Sequence, residues 1–327
     1  MLSRAAEALF WLGRYMERAD NVARLLEAGR RLDSIAGKAG IGSNEWAAIL
    51  IAAGCRATYP GDIEQVTAAQ AMHHLVMDPE NPSSLQNCFA AARANARAQR
   101  GSITADVWLS ANDAWRETRD LTELACKPRH VADIIGKAQQ FTALFRGTVS
   151  ATMLRDERYC FLQLGQFIER ADATARLADV KYHVLMPAEH PIGSSLDQIQ
   201  WNNLLRAAGA RSSYRWVYRA PVESRLVIDF LLLNTRTPRS LRYCVEEATR
   251  ELDHLHAGGA QSDQSLQEAH ELRDELRATD VDAIIGFGLH EYLTNMIVRS
   301  NTLAMSIGSD FGFGRIVAPD LADSQTQ

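Results

Sequence analysis

The chain has 327 residues, 46% hydrophobic and 23% charged, with a formal net charge of −5. The apolar share supplies a full core, and the acidic balance argues against a dedicated nucleic-acid binder, which carries a basic excess. No apolar run approaches the roughly 18 residues that a membrane span needs, and Phe230-Leu231-Leu232-Leu233 reads as a short core segment, so neither nucleic acid nor membrane is an expected partner.

Met1-Leu2-Ser3-Arg4-Ala5 leads straight into an amphipathic helix, without the basic-then-apolar order and cleavage site of a secretory signal. Long Ala/Leu/Arg/Glu-rich stretches then keep a 3.6-residue periodicity, and none sustains the alternation of a strand. The pattern predicts an all-α fold. Helices are expected near 2–34, 44–57, 62–77, 83–100, 103–124 and 131–150, then near 153–184, 196–210, 221–234, 239–256, 260–277 and 280–307. Asn81-Pro82-Ser83-Ser84 and Thr237-Pro238-Arg239-Ser240 place Pro and Ser at helix starts. Gly37, Gly40 and Gly42 are expected to break the first long helix from the next, and Pro187 to Ser195 to do the same later. From 309 the periodicity is lost, which predicts a loose tail, with 316–327 lying outside the domain.

One segment recurs. Residues 12–27 read LGRYMERADNVARLLE and residues 164–179 read LGQFIERADATARLAD, so Leu12, Gly13, Glu17, Arg18, Ala19, Asp20, Ala23, Arg24 and Leu25 have identical partners 152 residues later. Glu45-Trp46, Ala52-Ala53-Gly54 and Tyr59 answer Gln200-Trp201, Ala207-Ala208-Gly209 and Tyr214 at an offset of 155. Pro82, Ser84-Leu85 and Cys88 answer Pro238, Ser240-Leu241 and Cys244 at 156. The drift is what short loop insertions produce. A helical bundle of two pseudo-symmetric halves, about 1–150 and 151–315, is therefore expected, and not a solenoid, which needs about three repeats.

On the repeated helix Leu9, Leu12, Met16, Ala19, Ala23 and Leu26 form a broad apolar face, with Trp11, Tyr15, Val22 and Leu25 extending it, so the helix should be mostly buried and central. Gly13, Glu17, Asp20 and Arg24 run through it as a polar stripe, repeated as Gly165, Glu169, Asp172 and Arg176. Arg18 and Arg170 point about 100° away from their neighbouring glutamates. Buried charges must pair. Asp20 and Arg24 are an i, i+4 pair, and the glycine leaves room beside Glu17 for another helix, a water or a ligand. Two readings follow: an ionic network that sets helix register, or a polar pocket for a charged ligand or a partner's tail. In the second, Glu17 and Glu169 are the candidate catalytic residues, since burial can raise a glutamate's pKa towards that of a general base.

Arg93, Arg97 and Arg100, with Asn95 among them, align as a candidate anion clamp or a solvated basic stripe. The matching stretch of the second half, Glu246-Glu247-Ala248-Thr249-Arg250-Glu251, is acidic. Glu251-x-x-His254 is half of a carboxylate-bridged metal motif, but no second copy appears, and His270 and His290-Glu291 do not supply one, so no metal site is expected. Cys55, Cys88, Cys126, Cys160 and Cys244 are odd in number and unpaired in sequence, which suits buried reduced thiols in a cytoplasm. Phosphate loops and nucleophile elbows are absent, so no cofactor is expected.

The chain resembles the bacterial alpha-E family, named for a helical Glu-Arg motif. The resemblance covers nearly all of 1–315 and rests on Met1-Leu2-Ser3-Arg4, Trp11-Leu12-Gly13-Arg14-Tyr15, the two Glu-Arg-Ala-Asp strings, Asp78-Pro79 through Leu85, Arg93-x-Asn95-Ala96-Arg97-x-x-Arg100 and Met153-Leu154-Arg155-Asp156-Glu157. Ala94 departs from it, standing where the family pattern has a glutamate. Family members are encoded with, or fused to, a circularly permuted ATP-grasp-like protein, often beside a transglutaminase-like protein and sometimes a proteasome-like peptidase. The resemblance thus implies an accessory or substrate-presenting subunit of a peptide ligase or peptide-modification system, whose ATP-grasp partner brings nucleotide and magnesium. The alternative is an enzyme of amide-bond formation or transfer working through the Glu/Arg stripe.

Overall fold

Helix α1 (Ser3–Ala39) passes through Gly37, five residues beyond the expected end, because one glycine costs about 1 kcal/mol and does not stop a long buried helix. The computed structural model describes residues 3–39, 45–185, 195–258 and 262–314, so the predicted breaks at Gly40, Gly42 and 187–194 and the predicted tail 316–327 lie outside the described residues. All regular structure among the described residues is helical, with no strand.

Helix α2 (Glu45–Ala52) ends earlier than periodicity suggests, where Gly54 takes a left-handed φ of 71°. The expected helix 62–77 divides. A 3-10 turn (Ile63–Gln65) capped by Asp62 precedes α3 (Ala68–Val76), which Thr67 and Gln70 start as a capping box. Ser84 caps α4 (Leu85–Ala98) and Thr104 caps α5 (Ala105–Thr118), each accepting a backbone N–H. A second 3-10 turn (Glu123–Cys126) leads to α6 (Pro128–Thr152), with Pro128 in its first turn. Helix α7 (Glu157–Leu185) carries the second repeat, and α8 (Ser195–Ala207) follows.

Sequence periodicity missed α9 (Arg211–Tyr218), a short helix between Gly209 and Arg219, both at positive φ. Helix α10 (Ser224–Ile228) continues as a wide π turn (Asp229–Leu233), and Ser240 caps α11 (Leu241–Ala257). Helix α12 (Gln264–Ala278) precedes α13 (Val281–Phe287) and α14 (Leu289–Asp310). The last two were expected as one helix, and Gly288 at φ 108° splits them. The loose segment expected from 309 is instead folded as far as Gly314. Phe311 and Phe313 pack on Phe161 at 5.0 and 6.1 Å, Phe313 reaches Phe10 at 5.6 Å, and the Gly314 amide donates to Glu7 at 3.1 Å.

Helices α1 and α7 share the most extensive interface and occupy the centre, with α4 and α6 packed on α1, and α11 and α14 on α7. The centre is tight because two glycines meet backbone. A Cβ on Gly13 would stand 2.1 Å from the Leu162 carbonyl oxygen, and one on Gly165 would stand 2.0 Å from that of Phe10. The room predicted beside Glu17 is therefore filled by the other helix. The glycine contacts Phe10–Gly165 and Gly13–Leu162 form one level and the pairs Glu17–Arg170 and Arg18–Glu169 the next, later on both helices, so α1 and α7 run in the same direction.

Gly13→Ala and Gly165→Ala should each destabilise the fold by about 3 kcal/mol or more, since the atom met is backbone and cannot turn aside. Gly136→Ala, in α6 with nothing within 4 Å of its Cβ, should stabilise by about 0.5–1 kcal/mol. Urea unfolding of the three variants checks this, and a tolerated Gly13→Ala would contradict the close crossing.

Candidate functional site

One turn past the glycine crossing, the Glu-Arg motifs of the two helices pair with each other. Arg18 holds Glu169 bidentately, Nε to Oε1 at 2.6 Å and Nη2 to Oε2 at 3.0 Å. Arg170 holds Glu17 in the same way, at 2.8 and 2.7 Å. Each arginine does point away from the glutamate beside it in sequence, and it points at the glutamate of the other helix. Two planar forks facing two carboxylates fix both register and rotation of the helices. Cys88 and Cys244 lie by Arg18 and Arg170, and burial pushes both thiols up to about 12, which keeps them neutral.

The next turn repeats the exchange. Arg24 binds Asp20 at 2.9 Å and lies over Gly209, where a Cβ would stand 2.7 Å from Nη1. Arg176 binds Asp172 at 2.7 Å and lies beside Gly54, at 3.6 Å. Both glycines are left-handed, at 66° and 71°, so both positions favour glycine by conformation, and Gly209 by space as well.

Beyond these pairs the two ends differ. Glu169 also receives Arg14 at 2.7 Å, and Arg14 itself is fully buried against Trp11 and Phe10. At the other end Arg239, just before α11, bonds Glu17 at 3.1 Å and also pairs with Asp20. Arg146 of α6 lies 3.5 Å from Glu17 and 3.4 Å from Asp20, and Thr142 donates to Asp20 at 3.0 Å. The Thr174 hydroxyl fixes the Arg239 carbonyl at 2.8 Å. Among the described residues Glu17 and Asp20 thus face four guanidiniums, those of Arg24, Arg146, Arg170 and Arg239, while Glu169 and Asp172 face three, those of Arg14, Arg18 and Arg176. Arg146 and Arg239 keep a quarter and a sixth of their side chains exposed, so the excess positive charge opens to solvent.

Burial opposes ionisation of Glu17, but Arg170 and Arg239 overcome it and hold the carboxyl at about 2. Burial likewise opposes ionisation of Glu169, which Arg18 and Arg14 hold at about 2. Asp20 is lowered too, against its burial, by Arg239, Arg24 and Arg146. The expected rise towards a general base is thereby reversed, because the guanidiniums outweigh desolvation. Arg24 is the opposite case: burial and the neighbouring Arg239 both weaken its hold on its proton.

Arg14, Arg146 and Arg239 were not singled out from sequence as site residues. Their one signal is asymmetry between repeats, since Gln166 answers Arg14 and Ser83 answers Arg239. The Arg93–Arg100 cluster stands elsewhere, on α4 against α5. Arg93 stacks on Trp115 at 3.9 Å and binds Asn112 at 3.0 Å, Arg100 covers Trp108 at 5.2 Å, Asn95 donates to the Ala91 carbonyl of its own helix, and Arg97 is exposed. No bond joins this cluster to the buried network among the described residues, so the two candidate sites are not one. His270 pairs with Asp253 and His290 with Asp179, while Glu251 and His254 sit outside the network beside Cys160. All five cysteines are free and buried, and no described helix is long and apolar enough to cross a membrane.

Comparison with known proteins places this geometry. Residues 1–311 match the Alpha-E family model, described as a predicted alpha-helical domain with a conserved ER motif, and the chain belongs to that family. It is 24% identical over 316 residues to uncharacterized proteins of Mycobacterium bovis and of two Mycobacterium tuberculosis strains, an alignment that covers 90% of this chain. The chain spans about a third of the length of these relatives, 35% in each case. No solved structure gives a significant match.

Glu17→Gln strands Arg170 and leaves Arg239 only Asp20, and Glu169→Gln strands Arg18 and Arg14, so each should lower unfolding free energy by about 3–5 kcal/mol. The wild type should also lose stability on acidification. Both carboxyls fall from a reference of 4.5 to about 2 on folding, so between those values the unfolded chain binds protons that the folded chain does not. The contribution is complete above about pH 4.5 and lost below about pH 2. Denaturant midpoints across that window check it, and a flat profile would contradict it.

Proposed function

We propose that this Alpha-E chain is an accessory or substrate-presenting subunit of an ATP-grasp-type peptide ligase or peptide-modification system, working in a bacterial cytoplasm. The observation that carries the reading is the arginine excess at the Glu17–Asp20 end, where two carboxylates face four guanidiniums of which three, those of Arg24, Arg146 and Arg239, are partly open to solvent. Such an end attracts a third anion, and a planar carboxylate suits guanidinium forks better than any neutral group. A peptide C-terminus or acidic side chain is the fitting ligand, and the residues that take it are Arg146, Arg239 and Arg24. Family membership and the greater length of the mycobacterial relatives favour a domain that works beside another activity. The transglutaminase-like protein is the second partner in this reading. The same reading takes 1–315 as one domain descended from duplicated halves, 1–150 and 151–315, with the anion site developed in one end only.

The alternative, amide chemistry with Glu17 or Glu169 as base, asks for a pKa near neutrality. Carboxyls held at about 2 are weak bases at neutral pH, so the network supports positioning over proton abstraction.

The test is reconstitution. The chain should co-purify with the ATP-grasp protein encoded beside it, and peptide-dependent ATP turnover should appear only in the mixture. Arg239→Gln, which removes one of the surplus cations, should lower that turnover at least about tenfold while shifting stability by less than about 1 kcal/mol, the range of a change that leaves no charge unpaired. Turnover of peptides by the purified chain alone would overturn the subunit reading.

A further inference from the structure

A second polar cluster joins the first turn of α7 to α11 and takes no part in the arginine network. Asp156 starts α7 by accepting the Arg158 amide at 3.0 Å, which places Cys160 in the first turn, buried. Glu251 and His254 stand three residues apart on α11 and so share a face, Glu251 buried and His254 exposed. The Cys160 sulfur, a Glu251 carboxylate oxygen and a His254 ring nitrogen all lie within 4.8 Å of one another. Three atoms so placed always share a point that lies within about 2.8 Å of each of them (4.8/√3), and side-chain settling of under an ångström reaches the 2.0–2.3 Å of metal bonds.

Burial and the hydrogen bond to Glu251 push the Cys160 thiol up to about 12, and burial raises Glu251 as well. Ligation by a cysteine takes the thiolate, so a bound cation displaces the thiol proton and inverts the local electrostatics. The donor set decides which cation. One thiolate, one imidazole and one carboxylate form a mixed set of borderline softness, unlike the all-oxygen sites of calcium and magnesium.

We propose that Cys160, Glu251 and His254 form a mononuclear site for a borderline-soft divalent cation, zinc being the fit, with a fourth position open to water on the exposed His254 side. On binding, the Cys160 S–H bond breaks, a sulfur–metal bond forms, and the proton leaves to solvent with no change of oxidation state. Glu251 gives up any proton it holds in the same way, and neutral His254 donates a ring nitrogen. The bound ion would clamp the start of α7 to α11. The equivalent positions of the first repeat are Ala8, Asn95 and Ala98, at offsets of 152 and 156, so the site belongs to the second repeat alone. It was not legible as a metal site because Glu251-x-x-His254 lacks a second copy, and the third ligand comes from a distant helix.

The test uses the full chain, stripped with a chelator and titrated with cobalt(II), then with zinc(II) in competition with a chromophoric chelator. One equivalent of cobalt should bind with a near-ultraviolet thiolate-to-cobalt band. Cys160→Ser should abolish the band. His254→Ala, at an exposed position that does not threaten folding, should lower zinc affinity by at least about tenfold, since loss of even an outer-shell partner costs roughly 10–100-fold. His270→Ala, on the neighbouring helix, should leave both readouts unchanged. No binding, binding without the thiolate band, or equal zinc affinity in the wild type and His254→Ala would overturn the proposal.

Discussion

The fold depends on one constraint: a charge taken out of water must meet its opposite. Glu17 and Glu169 lie on central helices with almost no solvent contact, where an unpaired carboxylate costs several kcal/mol. Their partners, Arg170 and Arg18, come from the opposite helix, and both forks close only if α1 and α7 sit at one rotation and one register. The glycines one turn earlier make that distance possible by letting backbone touch backbone. Apolar packing drives the helices together, and the crossed pairs select one arrangement among the many that Leu, Ala and Met would tolerate.

The same constraint bears on how the two ends of the network differ. Once Arg18 and Arg170 satisfy the glutamates, additional arginines are surplus to structure. Arg14 is spent inside the core, buried against aromatic rings. Arg146 and Arg239 instead crowd Glu17 and Asp20 while keeping contact with solvent, and Arg239 weakens the hold of Arg24 on its own proton. Both also help to keep Asp20 ionised, and the charge left over is what the proposed anion site rests on. At the other end Asp172 has one carboxylate oxygen without a protein partner, where Asp20 has Thr142.

The all-helical class was legible because long amphipathic periods dominate the sequence, and the repeated helix announced its own burial. What periodicity could not supply was local backbone. Gly288 divides one expected helix, Thr67 begins a helix inside another, and α9 is too short to register. Of the site, the Asp20–Arg24 and Asp172–Arg176 pairs were readable because i, i+4 spacing is a local rule. The crossed Glu-Arg pairs were not, since a helical wheel shows only that Arg18 and Arg170 leave their own glutamates. Arg146, Arg239 and Cys160 reach their partners through tertiary structure that spacing does not encode.

A double-mutant cycle between Glu17 and Arg170, read as unfolding free energy, tests the central claim most directly. If the crossed pairs set the fold, Glu17→Gln and Arg170→Gln should each be strongly destabilising, while the double variant costs less than the two losses summed, by a coupling energy of about 2–3 kcal/mol. Additive losses, with a coupling below about 0.5 kcal/mol, would mean that the two helices are held by apolar packing and that the Glu-Arg motif does not lock them.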